Sequence, residues 1–211
     1  QFVGNYAEYA GAIYNHLSTL NIGNDLVMQG NKTTDGSAAA IANDNAGVVT
    51  VGDGAKFLQN ESAKSGGAIY QYIVSQLDNG ESGFTIGKNA LFEGNSAKAN
   101  GGATAVYNDN NIASIMNFSD GTVFAGNSAE GQGGAVYVAA GDNTVNFNGS
   151  ATFSSNTAGG KLNDIHNDGT VNVNAGTLTL DGGITGDGDL IFAEGTGLSV
   201  KVGASQDEST T

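Results

Sequence analysis

The chain has no cysteine, proline or tryptophan, and no arginine among its seven basic residues. Without cysteine there are no disulfides and no thiolate metal sites. Stability must come from burial and hydrogen bonding, and an extracellular life stays open because oxidising compartments permit disulfides without requiring them. Without proline, turns fall to glycine and asparagine, the residues that tolerate positive φ. Both abound, with 34 Gly and 25 Asn in 211 residues. Hydrophobic residues still make up 39% of the chain, so the bias does not signal disorder. The length suits one domain with a sizeable core.

Positive charge is scarce as well. Seven Lys face 21 acidic residues, giving a net charge of −14. That field repels phosphate backbones and anionic lipid, which argues against nucleic acid and membrane-surface partners. It also keeps an extended, one-chain-thick object soluble. No run of about 18 apolar residues occurs, so no membrane insertion is expected of this segment, and no signal peptide is evident. The chain opens in mid-motif at Gln1-Phe2-Val3-Gly4-Asn5 and reads as a piece of a longer repeat protein.

What is present is a repeat. Six times an aromatic residue or Met is followed three positions later by Asn: Phe2/Asn5, Met28/Asn31, Phe57/Asn60, Phe92/Asn95, Phe124/Asn127 and Phe153/Asn156. The steps between successive Asn are 26, 29, 35, 32 and 29 residues, a recurrence that marks one structural unit repeated in space. The fullest unit runs Phe84-Thr85-Ile86-Gly87, Ala90-Leu91-Phe92-Glu93-Gly94-Asn95, Ser96-Ala97, Gly101-Gly102-Ala103 and Val106-Tyr107-Asn108. Each unit holds three short β-forming stretches between Gly/Asn/Asp turns, and no helical stripe persists anywhere.

Three short strands cannot bury a face alone, but stacked units can, with parallel strands about 4.8 Å apart per coil. The expected fold is all-β, a single-stranded parallel β-helix of about seven to eight coils. Insertions at Gln71–Ser82 and Asn108–Ser114 predict loops leaving one side of the solenoid. Residues 1–168 form about six motif-bearing coils, residues 169–203 add regular coils of the same domain, and the polar tail 204–211 is frayed. Phe2, Phe57, Phe92, Phe124 and Phe153, with Met28, form an internal column. Asn5, Asn31, Asn60, Asn95, Asn127 and Asn156 form a ladder at tight turns, each amide bonding to backbone and to the next Asn.

These repeats resemble those of the polymorphic membrane proteins of chlamydiae and related autotransporter passenger domains. Phe57-Leu58-Gln59-Asn60 with Gly66-Gly67-Ala68-Ile69 carries both halves of the FxxN and GGA(I/V/L) pattern, as do Phe92–Asn95 with Gly101-Gly102-Ala103 and Phe124–Asn127 with Gly133-Gly134-Ala135-Val136. The first two units and the last are degenerate, and Gly182-Gly183-Ile184-Thr185-Gly186-Asp187-Gly188 also looks like autotransporter passengers. The resemblance spans roughly residues 1–203. It implies a right-handed β-helix at the cell surface or outside the cell, secreted through a C-terminal β-barrel, with an adhesive role. The two motifs have a sufficient structural reason to exist, so no binding surface is assigned to them.

Several residues invite chemistry. Alternation places Ile13, Ile41, Ile69, Val106, Val136 and Ile165 on one face and Tyr14, Tyr70, Tyr107 and Tyr137 on the other, with Ala42 and His166 in the remaining slots. An outward column of rings can stack against sugars or a protein, and rings packed beneath the loops serve as plain core. Asp142, Asp181, Asp187 and Asp189 carry oxygen ligands for Ca²⁺, yet Asp-Gly is above all a turn dipeptide and the spacing does not match the calcium-binding nonapeptide repeat. No cofactor or metal is expected.

Polysaccharide cleavage or binding is the alternative function. Lyases of this shape often use Arg, which is missing here. Glycosidases need converging carboxylates, and Glu61, Glu93, Glu130 and Asp120 are scattered. His16 and His166 lie far apart in the chain, and the Asn-x-Ser/Thr sites at Asn31 and Asn60 fall on inward ladder positions. The expectation is therefore a non-catalytic adhesin or rigid stalk touching a host or matrix protein or glycan. The open N-terminal coil also leaves room for end-to-end self-association.

Overall fold

The computed structural model describes residues 1–75, 83–109 and 112–201. Among them the chain forms strands and turns and no helix, so no helix is long and apolar enough to cross a membrane. Four sheets run the length of the molecule, the first with eight strands and the others with seven. In the fourth coil Leu91–Glu93 belongs to the first sheet, Ser96–Ala97 to the second, Thr104–Asn108 to the third and Ser114–Phe118 to the fourth. With one exception, strands pair in parallel with their counterparts one coil before and after, as Phe92 does with Phe57 and Phe124. The protein is a parallel β-helix.

Each of the first five coils therefore holds four strands, not three. The extra one is the Ser-Ala pair, two residues long and without a β-branched side chain, so no strand signal marks it. The insertions do fall at one corner, between the third and fourth sheets, after Ile69–Ile73 and after Thr104–Asn108. The first begins later than Gln71, because Gln71, Tyr72 and Ile73 pair with Val106, Tyr107 and Asn108. The middle of each insertion, residues 76–82 and 110–111, lies outside the described residues, as does the tail 204–211.

Two apolar columns fill the interior. Phe57, Phe92, Phe124 and Phe153 stack with ring centroids 4.5–4.9 Å apart and planes within 12° of parallel. That spacing equals the rung-to-rung distance of a parallel sheet, about 4.8 Å, so stacking needs no distortion of the coil. Met28 is buried in the same register, and Phe2 is partly exposed. From the fourth sheet, Phe118 and Phe147 form a second stack at 5.5 Å that meets the first edge-on, Phe118 lying 5.2 Å from Phe124 at 82°. Offset-stacked and T-shaped contacts are the two favoured arrangements of aromatic rings.

Beside the Phe column runs the Asn ladder. Asn31, Asn60, Asn95 and Asn127 each donate from Nδ2 to the Oδ1 of the next Asn at 2.9–3.0 Å. Each also donates to the backbone carbonyl of Phe2, Met28, Phe57 or Phe92, one coil back, at 2.9–3.1 Å. Each Oδ1 accepts a second bond from the preceding Asn backbone N–H at 3.0–3.1 Å. A side-chain amide has two donor hydrogens and two acceptor lone pairs, and all four are used. The residue before each Asn, from Gly4 to Ser155, takes positive φ and turns the chain into the second sheet.

The ladder ends in a carboxylate. Asn156 Nδ2 donates to Asp164 Oδ1 at 2.9 Å, and the backbone N–H groups of Asp181 and Gly182 donate to Oδ2 at 3.0 and 2.6 Å. Three donors and no acceptor converge there, which is why Asp stands at the end of a row of Asn. Burial pushes the Asp164 carboxyl above the usual carboxylate range, against the pull of those three donors. At the same level Gly159 and Gly160, both at positive φ, turn the chain back so that Lys161–Leu162 pairs antiparallel to Thr157–Ala158. That two-residue hairpin closes the second sheet.

The paired glycines have two different reasons. Gly66, Gly101 and Gly133 adopt φ near +67°, between +66° and +68°. Gly67, Gly102 and Gly134 have ordinary φ, but a Cβ on each would lie 2.0–2.3 Å from a carbonyl oxygen of the next coil. The first glycine permits the turn and the second lets adjacent coils close to hydrogen-bonding distance, Gly67 N to Gly101 O at 3.0 Å.

Asn95→Ala is expected to cost about 1–3 kcal/mol, because it orphans buried partners on both neighbouring coils. The midpoint of chemical denaturation measures it, with the exposed Lys98→Ala as control. Asp164→Asn should cost a similar amount, about 1–3 kcal/mol, since its amide hydrogens would face the two backbone N–H donors. An unchanged midpoint for either variant would contradict the ladder energetics.

Candidate functional site

The outward face of the third sheet gathers most of the tyrosines. Its first outward row reads Tyr14, Ala42, Tyr70, Ala105, Tyr137, His166 and Thr185. A second row, two residues further along each strand, reads His16, Asp44, Tyr72 and Tyr107. Tyr107 is thus not in line with Tyr70 and Tyr137. Thr104 and Ala105 take the slots that Ile69 and Tyr70 hold one coil before, which also moves Val106 to the inward row of Gln71 and Val138.

The small Ala105 lets Tyr107 lean back across the gap. Its ring centroid lies 5.4 Å from that of Tyr70 and 5.2 Å from that of Tyr137. Tyr137 stacks on His166 at 5.4 Å and 3°, and Tyr72 joins at 5.8 Å from Tyr70. Five rings therefore form one unbroken band over four coils. The Tyr107 hydroxyl is held by Asn100 Nδ2 at 3.1 Å and by Ser65 Oγ at 3.2 Å. His166 is fixed by Thr185 Oγ1 and Asp168 Oδ2, both at 2.9 Å, and the latter bond holds the Asp168 carboxyl below its ordinary range. Burial increases along the band, with Tyr70 and Tyr107 half-buried and Tyr137 buried.

Tyr14 stands apart, 58% exposed and stacked on His16 at 5.8 Å. Ala42 separates it from Tyr70, and the missing ring leaves a cleft of about 550 Å³. Ala7, Tyr9 and Ala10 of the first coil and Ser37 of the second form its side, and Asp44 and Tyr72 line the other end. Tyr14 donates its hydroxyl to Asp44 Oδ2 at 2.5 Å, and Tyr72 donates to Asp109 Oδ2. Tyr9, Tyr72, Asp44 and Asp109 carry no repeat signature. Tyr72 and Asp44 were nonetheless findable, since each sits two residues beyond a first-row outward position on the same face.

The other candidate residues do not converge. Asp181 accepts the Ser155 N–H on both oxygens at 2.9 and 3.0 Å, and Asp168 accepts the Asp187 N–H at 3.2 Å. Asp53 and Asp120 likewise take N–H groups of the next coil, those of Lys88 and Ser150. These turn carboxylates tie coil to coil, while Asp142 and Asp189 are exposed. Among the described residues no group of three His, Cys, Asp or Glu side chains is placed to hold a metal ion. Glu61 pairs with Lys32 at 2.7 Å and shares a shallow groove with Glu130, whereas Glu93 lines a different groove and Asp120 caps a turn. His16 and His166 sit on coils at opposite ends of the third sheet.

Residues 54–71, 89–107 and 121–139 match the Chlamydia polymorphic membrane protein (Chlamydia_PMP) repeat. Three segments of the chain are thus similar to that repeat. Each matched segment starts in the turn before the Phe strand and ends within two residues of Tyr70, Tyr107 or Tyr137. The matched segments thus take in the Phe column, the Asn turn, the paired glycines and the outward rings. The variable corner and the fourth-sheet strand fall between repeats. No curated protein and no solved structure matches the chain.

The rings also set an alkaline limit. Burial, then the Asp44 contact, pushes Tyr14 from 10.0 to about 12. Burial raises Tyr137 to about 12 and lifts Tyr70 as well, while the Asp109 bond raises Tyr72 to about 12. A phenol that holds its proton more tightly when folded stabilises the fold fully below its unfolded pKa, and that contribution is lost as pH rises through the folded pKa. The denaturation midpoint should therefore fall between about pH 10 and pH 12, with part of the tyrosinate absorbance appearing late. Ionisation of all seven tyrosines at the ordinary value would contradict the packing.

Proposed function

We propose that this chain is part of a surface-exposed or secreted, autotransporter-like passenger: a rigid β-helical stalk that adheres, without catalysis, to a host or matrix protein or glycan through its third sheet. The observation that carries this reading is the meeting of two features. The three matched segments are similar to a repeat of chlamydial polymorphic membrane proteins, and each ends on, or within two residues of, a ring of the outward band. Partly exposed aromatic surface on a rigid support loses little conformational entropy on contact, and Tyr offers both apolar area and a polar tip. The turn carboxylates are occupied in joining coils, which leaves the rings as the recognition chemistry of this face.

The test is saturable binding of the fragment to mucin, matrix proteins and cultured cells. Tyr70→Ala combined with Tyr107→Ala should weaken that binding tenfold or more, with the circular dichroism spectrum unchanged. Absence of saturable binding to every target leaves only the stalk role. Incubation with a polysaccharide panel should release neither sugar nor unsaturated uronate, and release of either would replace adhesion by catalysis.

A further inference from the structure

The cleft over Ala42 has a chemistry of its own. Tyr14 and Tyr70 stand on rungs two apart, so their backbones are separated by about 10 Å, twice the rung spacing, with the Ala42 methyl as floor. Tyr9 and Tyr72 add further phenol rings. The polar groups are lopsided. The Tyr14 and Tyr72 hydroxyl hydrogens are already given to Asp44 and Asp109, and the Asp44 carboxylate is the only charged group lining the cleft among the described residues. The Tyr9, Ser37 and Tyr70 hydroxyls remain to donate, and the π faces gather around one carboxylate. A neutral sugar ring has no charge to set against that carboxylate, whereas a cation meets both the rings and the charge.

We propose that this cleft accepts an arginine side chain presented by a partner protein, the guanidinium lying against the Tyr14 or Tyr70 ring and hydrogen-bonding to Asp44. Charge complementarity argues for that occupant. The chain carries −14 overall, so its field draws basic partners, and Arg combines stacking on an aromatic face with hydrogen bonding to a carboxylate. The chain contains no arginine, so a second copy cannot supply the group. Asp44 is held ready to receive it: Oδ2 takes the Tyr14 hydroxyl and Oδ1 the Asn45 backbone N–H at 2.8 Å, which fixes the carboxylate plane. His16 Nδ1 lies 3.5 Å from the same carboxylate. This inference rests on the adhesive reading and narrows it to one class of partner at one end of the band.

The experiment is an amide NMR titration of the whole chain with N-acetyl-argininamide at low salt. Its neutral isostere N-acetyl-citrullinamide, N-acetyl-lysinamide and methyl glucoside serve as parallel probes. Arginine should shift the amides of Ala42, Asp44 and Tyr70, with citrulline at least tenfold weaker and lysine intermediate. Ala42→Phe, which fills the cleft from its outward floor without touching the core, should abolish the shifts. Asp44→Asn should weaken arginine binding tenfold or more and leave citrulline unchanged. Equal binding of arginine and citrulline, shifts that persist in Ala42→Phe, or glucoside shifts at the same amides would overturn the proposal. Adhesion to cells that depends on Tyr70 and Tyr107 but survives Ala42→Phe would remove this inference and leave the proposed function standing.

Discussion

A buried amide side chain is costly unless all its hydrogen-bonding capacity is met, and this solenoid meets it by repetition. The Asn at the turn between the first and second sheets reaches one coil back with a donor and one coil forward with another, while its oxygen receives the coil before it. That arrangement works only if successive coils stay at one rise and one register. The same rise sets the 4.5–4.9 Å spacing of the phenylalanine rings and the closeness that removes the Cβ from Gly67, Gly102 and Gly134. Core, turn and backbone pairing thus answer to a single repeat distance.

The repeat distance explains which parts of the molecule were legible beforehand. Every Asn that recurs with an aromatic partner reaches its expected place, because those residues have identical jobs on each coil. What escaped notice is whatever differs from coil to coil or is too short to carry a pattern. Ser96–Ala97 is a strand by virtue of its neighbours alone. Phe118 and Phe147 stack in the fourth sheet nine residues before the next ladder Asn, but the earlier coils hold Ile22, Val51 and Ile86 in that slot, so no aromatic recurrence marks the column. Tyr107 is displaced because parity of alternation fixes the face of a side chain but not its row. Asp164 falls in the degenerate last unit, and only the three donors aimed at it account for a carboxylate there.

The candidate site repeats that lesson at the surface. A row of rings is readable as a row, but the feature with most chemical character is the interruption at Ala42, where a ring is absent between Tyr14 and Tyr70. At Ala105 a similar interruption is filled from the side by Tyr107, and the band closes. Two alanines in equivalent slots thus have opposite outcomes, decided by the residue two positions further along: Tyr107 in one coil, Asp44 in the other. The acidic excess follows the same division. Asp53, Asp120, Asp168 and Asp181 are consumed in joining coils, whereas Asp44 stands beside open space.

The amide ladder has a direction: every rung gives forward and receives from behind, down to the carboxylate that receives only. A coil is therefore interchangeable with any other in the same orientation, and its insertion or loss as a whole leaves no unmatched rung. A cut through part of a coil leaves one immediately. Genes built this way can lengthen or shorten by whole units through in-frame duplication while corner insertions drift freely, which gives a solenoid room to vary in height and loop sequence on an unchanging spine.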